Sequence, residues 1–203
     1  MLFYEPQARD CARLPHDPFT ALVAPRPIGW ISTLGADDVA NLAPYSFSNI
    51  VSSSPPILMF ASQGVKDSAA NAIARGEFVW NLVTDELRNA MSESSRTVAP
   101  DVSEFGLAGV EPTPSVLVAP PRVAAAAAAF ECRVTQTLPL RDAAGRELDR
   151  RLVLGQVVGV HLDERCILPD GRVDTAALRP VARAGYRDEY AVVESILTMA
   201  RPD

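Results

Sequence analysis

Histidine, cysteine and lysine are scarce in this chain. Two histidines (His16 and His161), three cysteines (Cys11, Cys132 and Cys166) and a single lysine, Lys66, are spread over 203 residues. The histidines stand far apart and no cluster of cysteines or carboxylates accompanies them, so no metal-ligand grouping is present. The cysteines are odd in number, widely spaced and free of any C-x-x-C pattern, which excludes a disulfide framework and predicts free thiols in a reducing compartment. There is no G-x-S-x-G, no H-E-x-x-H, no G-x-x-x-x-G-K-S/T, and no G-x-G-x-x-G after a strand. Triad hydrolysis, zinc-protease chemistry and the common nucleotide loops therefore lack their signatures. No apolar run approaches the roughly 18 residues of a membrane span. The opening MLFYEPQARDCARLPHDPF lacks the basic start and long apolar run of a secretory signal. A net charge of -6 argues against nucleic acid and against an anionic membrane surface. A cytoplasmic protein with neither partner is expected.

Apolar residues make up 48% of the chain, enough to build a core, and the length predicts one domain, 1–203. The most informative stretch is PRPIGWISTLGADDVANLAPYSFSNIVSSSPP, residues 25–56. Two apolar runs, 28–34 and 39–47, flank Gly35-Ala36-Asp37-Asp38 and predict a β-hairpin. Residues 48–54 read as a polar loop closed by Pro55-Pro56. Asn41, Ser46, Ser48, Asn49, Ser52, Ser53 and Ser54 give the second arm and its loop short hydrogen-bonding side chains. Pro44, Pro55 and Pro56 stiffen the backbone. Such a segment suits a flat ligand with polar edges, and equally a serine-rich surface loop.

Before the hairpin, Pro6, Pro15 and Pro18 limit residues 1–22 to short turns, with His16 expected in solvent. After it, ILMFA (57–61) predicts a buried strand. Lys66-Asp67-Ser68 opens a helix over 68–75, with Asp67 as N-cap and Gly76 as terminator. FVWNLV (78–83) predicts a strand, and Thr84-Asp85 caps a helix over 86–92. Residues 93–121 hold five prolines and read as irregular, yet too apolar to be disordered. Residues 123–138 are in conflict: the alanines favour helix, but the period-two alternation from Phe130 favours strand. Residues 141–151 read as a charged hairpin turn. LVLGQVVGVHL (152–162) is a strand whose Gly155 and Gly159 mark a bulge or a close approach. A turn at Asp170-Gly171, a helical stretch over 175–178 and a strand near 190–193 complete the chain. About six or more strands with few helices predict a closed or split antiparallel barrel.

Lys66-Asp67-Ser68 brings a cation, a hydroxyl and the amides of a helix N-terminus within three residues. That set suits a phosphate monoester, although helix capping beside a solvated lysine has the same appearance. Several ordered blocks then resemble a known family. They are Arg26-Pro27-Ile28-Gly29-Trp30-Ile31-Ser32-Thr33, Asn41-Leu42-Ala43-Pro44-Tyr45-Ser46-Phe47, Ser54-Pro55-Pro56, and Lys66-Asp67-Ser68 with Asn71. Later come Gly155-x-Val157-Val158-x-x-His161 and Arg179-Pro180-x-x-Arg183. Together they are similar to the flavin reductase-like, FMN-binding split-barrel family from about Val23 to Tyr190.

The resemblance implies a mainly β fold, a six-stranded antiparallel Greek-key split barrel, that dimerises and holds one FMN per site. Ser32 and Thr33 would lie near the phosphate or ribityl chain. Asn41, Ala43, Pro44, Tyr45 and Ser46 would line the cofactor. Asn49, Ser52 and Ser53 would offer loop amides to the isoalloxazine edge, and Lys66 and Ser68 would bind the phosphate, with Asn71 in the same block. Trp30 would cover the ring or fill the barrel. His161 matches a family histidine near nicotinamide or flavin, a catalytic candidate, or is a hydrogen-bonded strand-end residue. The implied activity is NAD(P)H-dependent reduction of FMN, with a partner monooxygenase as a possible recipient of reduced flavin. Two other readings stand beside it: a flavoredoxin-like FMN electron carrier without direct NAD(P)H oxidation, and a split-barrel module that has lost FMN or binds another ligand such as haem.

Overall fold

The computed structural model describes residues 1–200 and 202. Its main sheet has seven antiparallel strands: β1 (Gly29–Leu34), β2 (Ala40–Tyr45), β3 (Ser48–Ser53), β4 (Pro56–Gln63), β5 (Glu77–Leu82), β6 (Ala128–Arg141) and β7 (Glu147–Leu162). Their spatial order is β2-β1-β5-β6-β7-β4-β3. The sheet curls so that its two ends meet. Tyr45 at the end of β2 packs on Phe60 of β4 with ring centroids 4.8 Å apart, and the Ala61 amide donates to the Phe47 carbonyl at 2.8 Å. Curling removes most of the exposed sheet edge, as expected for a mainly β chain.

The predicted hairpin is β1–β2, paired from Gly29↔Tyr45 to Leu34↔Ala40. One prediction fails at once. Residues 48–53 are not a loop but strand β3, paired with β4 from Ser48↔Phe60 to Ser53↔Pro56. Serine-rich composition hid it, because a strand at the sheet edge has no need of alternating apolar residues on its solvated face. With it the main sheet has seven strands, within the expectation of about six or more. The alanine conflict resolves by division: the strand begins at Ala128, and the preceding alanines make a turn. The charged turn is shorter than expected, since β7 already starts at Glu147.

Of the five short α-helices among the described residues, three frame the site: α1 (Asp67–Arg75), α2 (Arg88–Glu93) and α3 (Glu104–Ala108). The N-cap of α1 is Lys66, not Asp67, and it makes no side-chain cap bond. Gly76 ends α1 with φ 73°, the left-handed geometry that favours glycine. The predicted helix over 86–92 is a 3-10 turn, Asp85–Leu87, running into α2. The irregular connection contains α3.

Two apolar clusters share strand β1. Ile31, Tyr45, Leu58, Phe60, Phe78, Trp80, Cys132 and Val153 fill the barrel, with Ala69 and Ala72 of α1 packed against them. Ile28, Trp30, Leu42, Met91, Phe105, Val123 and Val181 form the second cluster, under α2 and α3. Strand alternation explains the division: Trp30 and Ser32 point away from the side that carries Ile31 and Thr33. A small sheet of Arg26–Pro27, Val181–Arg183 and Tyr190–Val192 lies beside the second cluster. No helix among the described residues is long and apolar enough to cross a membrane.

Gly155 shows why β7 tolerates a glycine. The strand slips register between Leu154 and Gly155, and a Cβ there would sit 2.4 Å from Phe78 Cε1 and 2.7 Å from Cζ. Phe78 is fully buried and cannot yield. Gly155→Ala is expected to destabilise the fold by about 1–3 kcal/mol through overpacking. Urea denaturation checks this, and an unchanged midpoint would show that the ring can move.

Candidate functional site

A cavity of about 480 Å³ opens where the end of β2, the start of α1 and the segments after α2 converge. That volume lies within the roughly 300–1,000 Å³ of small-molecule sites. One wall is the backbone-rich run Ala43-Pro44-Tyr45-Ser46-Phe47. Lys66, Asp67 and Ser68 bring the N-terminus of α1. Ser94, Ser95, Arg96 and Thr97 follow α2, Glu104 comes from α3, and Arg150 reaches in from β7. Three cations and a helix N-terminus thus face a space rimmed with hydroxyls, which suits an anionic, oxygen-rich ligand. Arg96 is paired with Glu93 at 2.7 Å, but both side chains are largely in solvent, so that pair is weak.

Beneath the cavity lies a buried polar network. Both carboxylate oxygens of Glu104 accept from Asn41 Nδ2 at 2.9 Å, and Oε2 also accepts the Leu42 amide at 3.0 Å. Asn41 Oδ1 accepts from Ser68 Oγ at 2.6 Å and from Thr33 Oγ1 at 3.4 Å. Asn71 Nδ2 donates to Thr33 Oγ1 at 3.3 Å. Four elements are tied together through one asparagine. Burial pushes the Glu104 carboxyl up and nearby Asp67 adds to the shift, while the Leu42 amide and Asn41 work against it. Burial likewise raises the Tyr45 phenol, opposed by the neighbouring Ser68 and Ser62 hydroxyls.

The residues singled out from the sequence separate into three groups. Asn41, Ala43, Pro44, Tyr45, Ser46, Lys66 and Ser68 line the polar cavity. Asn49, Ser52 and Ser53 line a second cavity of about 410 Å³, bounded by Ile50, Leu58, Trp80, Phe130, Val157 and Val160. They belong to an edge strand rather than a loop, with one edge paired along β4 and the amides of the other without a sheet partner among the described residues. Trp30, Ser32, Thr33 and Asn71 line neither cavity. Trp30 is fully buried and donates through Nε1 to Ser94 Oγ at 2.8 Å, so it neither covers a ligand nor fills the barrel; it fixes a cavity-lining serine from behind. Ser32 is fully buried and its hydroxyl donates to the Pro121 carbonyl at 2.5 Å.

His161 lines neither cavity. Its Nε2 meets Oε1 of Glu131 at 2.5 Å, and since a carboxylate offers no proton, Nε2 carries the hydrogen. Glu131 is fully buried and also accepts the amides of Val116, Leu117 and Val118 at 2.7, 2.6 and 3.1 Å. The hydrogen-bonded strand-end reading describes this geometry. The pair anchors the proline-rich connection that closes over Ser32.

Sequence reasoning missed Glu104, Arg150 and the Ser94-Ser95-Arg96-Thr97 run. The last had a signal, because hydroxyls beside a cation at a helix end repeat the chemistry of Lys66-Asp67-Ser68. Glu104 had none, since nothing in a lone glutamate tells that it will be buried.

Residues 22–174 match the model of the flavin reductase like domain. A protein of Deinococcus radiodurans is 38% identical over 90% of this chain and 82% of its own length. The crystal structure of nitrilotriacetate monooxygenase component B from Bacillus cereus superposes with a TM-score of 0.88 at 28% identity, covering 98% of each chain. That of Pseudomonas fluorescens 2-nitrobenzoate 2-nitroreductase NbaA gives 0.79 at 28% identity, over 91% of this chain and 88% of the other.

The Glu131 anchor predicts a pH-dependent effect. Burial works to raise this carboxyl, but the His161 bond and the loop amides outweigh it and hold it below the ordinary carboxylate range. Its stabilisation is therefore complete above that range and lost as pH falls through the lowered folded-state value. Glu131→Gln is expected to cost about 2 kcal/mol or more at neutral pH, with the gap to wild type closing in acid. Denaturant midpoints measured from neutral pH downward check this; a penalty independent of pH would contradict it.

Proposed function

This chain belongs to the flavin reductase-like family, and we propose from that premise that it is an NAD(P)H-dependent FMN reductase. The observation that carries this reading is the polar cavity, with three cations, a helix N-terminus and a rim of hydroxyls around a stiff backbone wall. Bound FMN would supply the hydride-accepting ring, so the protein need not contribute a nucleophile. Among the cavity residues no nucleophile–base pair is arranged for covalent chemistry, which agrees with that division of labour.

Lys66 and Arg96, with the hydroxyls of Ser95 and Thr97, form the natural seat for the phosphate. Arg150 adds positive charge from β7. The backbone of 43–46 is placed to hold the polar edge of the ring, where hydrogen bonds stabilise negative charge in the reduced state. Phe47 and Tyr45 exclude water beside it. The name of the Bacillus cereus neighbour, a monooxygenase component, supports reduced flavin as a product that passes to an oxygenase partner.

The second, apolar cavity supports a homodimer. It adjoins β3, the strand at the end of the sheet order, where Ile50, Val51 and Val160 are exposed. Such a patch beside an unpaired strand edge favours a second copy. Light scattering of the purified protein is expected to give twice the chain mass; a monomer mass at micromolar concentration would contradict the dimer.

The function is tested by the absorbance of the FMN-loaded protein under anaerobic conditions, before and after NADH and then NADPH. Flavin bands are expected to bleach with at least one nucleotide; bands that persist with both would overturn the reductase in favour of an electron carrier. Lys66→Ala is expected to weaken FMN about tenfold, the loss of one charge-assisted phosphate contact. Its hydride-transfer rate at saturating FMN should stay near wild type. Equal FMN affinity in the two proteins would remove Lys66 from the phosphate seat.

A further inference from the structure

We propose that Glu104 is a positioning residue that fixes the direction of the hydrogen bonds along one wall of the polar cavity, so that Ser68 meets a ligand with lone pairs rather than with a proton. The inference depends on the flavin reading only for the identity of the ligand. Ionised, Glu104 accepts and never donates, and its contacts with Asn41 and the Leu42 amide favour that form against the burial that raises its carboxyl. Both Glu104 oxygens lie 2.9 Å from Asn41 Nδ2, and the Leu42 amide fills a further lone pair at 3.0 Å. The Asn41 amide therefore has one orientation, nitrogen toward Glu104 and oxygen toward α1. An amide oxygen takes protons only. Ser68, 2.6 Å away, must give it its single hydroxyl hydrogen, and Thr33 points its own the same way. Asn71 then fills the Thr33 oxygen from the far side. Every proton in the network runs toward the buried carboxylate.

The consequence reaches the ligand. Ser68 lines the cavity, is 2% exposed, and has its hydrogen committed inward, so its oxygen presents only lone pairs, to the neighbouring Tyr45 phenol and to the cavity. A phosphate oxygen, which needs a donor, gains nothing from it. A polyol hydroxyl or a ring N–H does. On this proposal Ser68 meets a donor in place of the phosphate expected from the sequence, and the ligand has a polarity: its phosphate lies toward Lys66 and Arg96, and its donor-bearing polyol or heterocycle lies along the Ser68 wall. Glu104 imposes that polarity through Asn41 and Ser68.

The test compares FMN with riboflavin, which lacks the phosphate, by fluorescence titration of wild-type protein, Ser68→Ala and Lys66→Ala. Ser68→Ala is expected to weaken both flavins by the same factor, about fivefold for one neutral hydrogen bond, leaving their affinity ratio unchanged. Lys66→Ala is expected to weaken FMN alone. A Ser68→Ala ratio that falls as far as that of Lys66→Ala would mean that Ser68 donates to phosphate, and would overturn the proposal. Orientation is read separately in ligand-free protein labelled with 15N-asparagine. The Asn41 side-chain amide signals are expected to be protected from solvent exchange in wild type, and to shift and lose protection in Glu104→Gln, whose own amide can reverse the chain. Signals unmoved by that substitution would also overturn the proposal. Ser68→Ala, a small change inside α1, keeps the question open to measurement should Glu104→Gln not fold. Failure of both flavins to bind wild type would sink the flavin reading, and the amide signals would still decide the role of Glu104.

Discussion

Glu104 is a carboxylate withdrawn from water and met by amides instead of a cation. Such a group is tolerated only where its lone pairs are filled, because an ion left unsatisfied in a protein interior is strongly destabilising. Here the side-chain amide of Asn41 and the main-chain amide of Leu42 fill them. The arrangement depends on α3 being pressed against β2, and it holds β2 in register with the start of α1 through Ser68. The polar cavity has its floor because this contact exists. Remove the carboxylate and Asn41 loses the neighbour that fixes which end of its amide faces the ligand.

The rest of the molecule places cations and hydroxyls around that floor. The barrel core, from Ile31 to Val153, sets the end of β2 against β4. The second cluster sets α2, and with it the Ser94–Arg96 rim, against the outer face of β1, where the Trp30 indole grips Ser94. Glu131 performs the parallel task on the other side, gathering three amides of the proline-rich connection and the His161 ring. Two buried glutamates thus tie elements together: Glu104 locks α3 to β2, and Glu131 fixes a segment without regular structure. A site that orders a flavin and lets the flavin do the chemistry needs this rigidity more than it needs an acid or a base.

The sequence carried the architecture further than the site. Alternation in β1, the glycine-aspartate turn and the apolar run of β4 were legible because periodicity and turn chemistry are local. β3 was not, since its serines match a loop and only pairing with β4 makes it a strand. Lys66 and Ser68 were found together because they adjoin in sequence, yet their roles diverge: one faces the cavity with a charge, the other has its proton turned inward by Asn41. Thr33 and Asn71 were chosen as ligand residues and prove to be members of the network under the cavity. Trp30 stood out by size and belongs to the packing behind Ser94. Glu104 was invisible because burial is decided by contacts distant in sequence: Asn41 is separated from it by 63 positions.

A crystal structure of the protein soaked with FMN decides whether the polar cavity above Asn41 and Glu104 is the flavin site. The phosphate is expected within hydrogen-bonding distance of Lys66 and Arg96 and the ribityl chain along the Ser68 wall. Flavin seated instead in the apolar cavity beside Trp80 and Phe130, with its phosphate remote from Lys66, would contradict it.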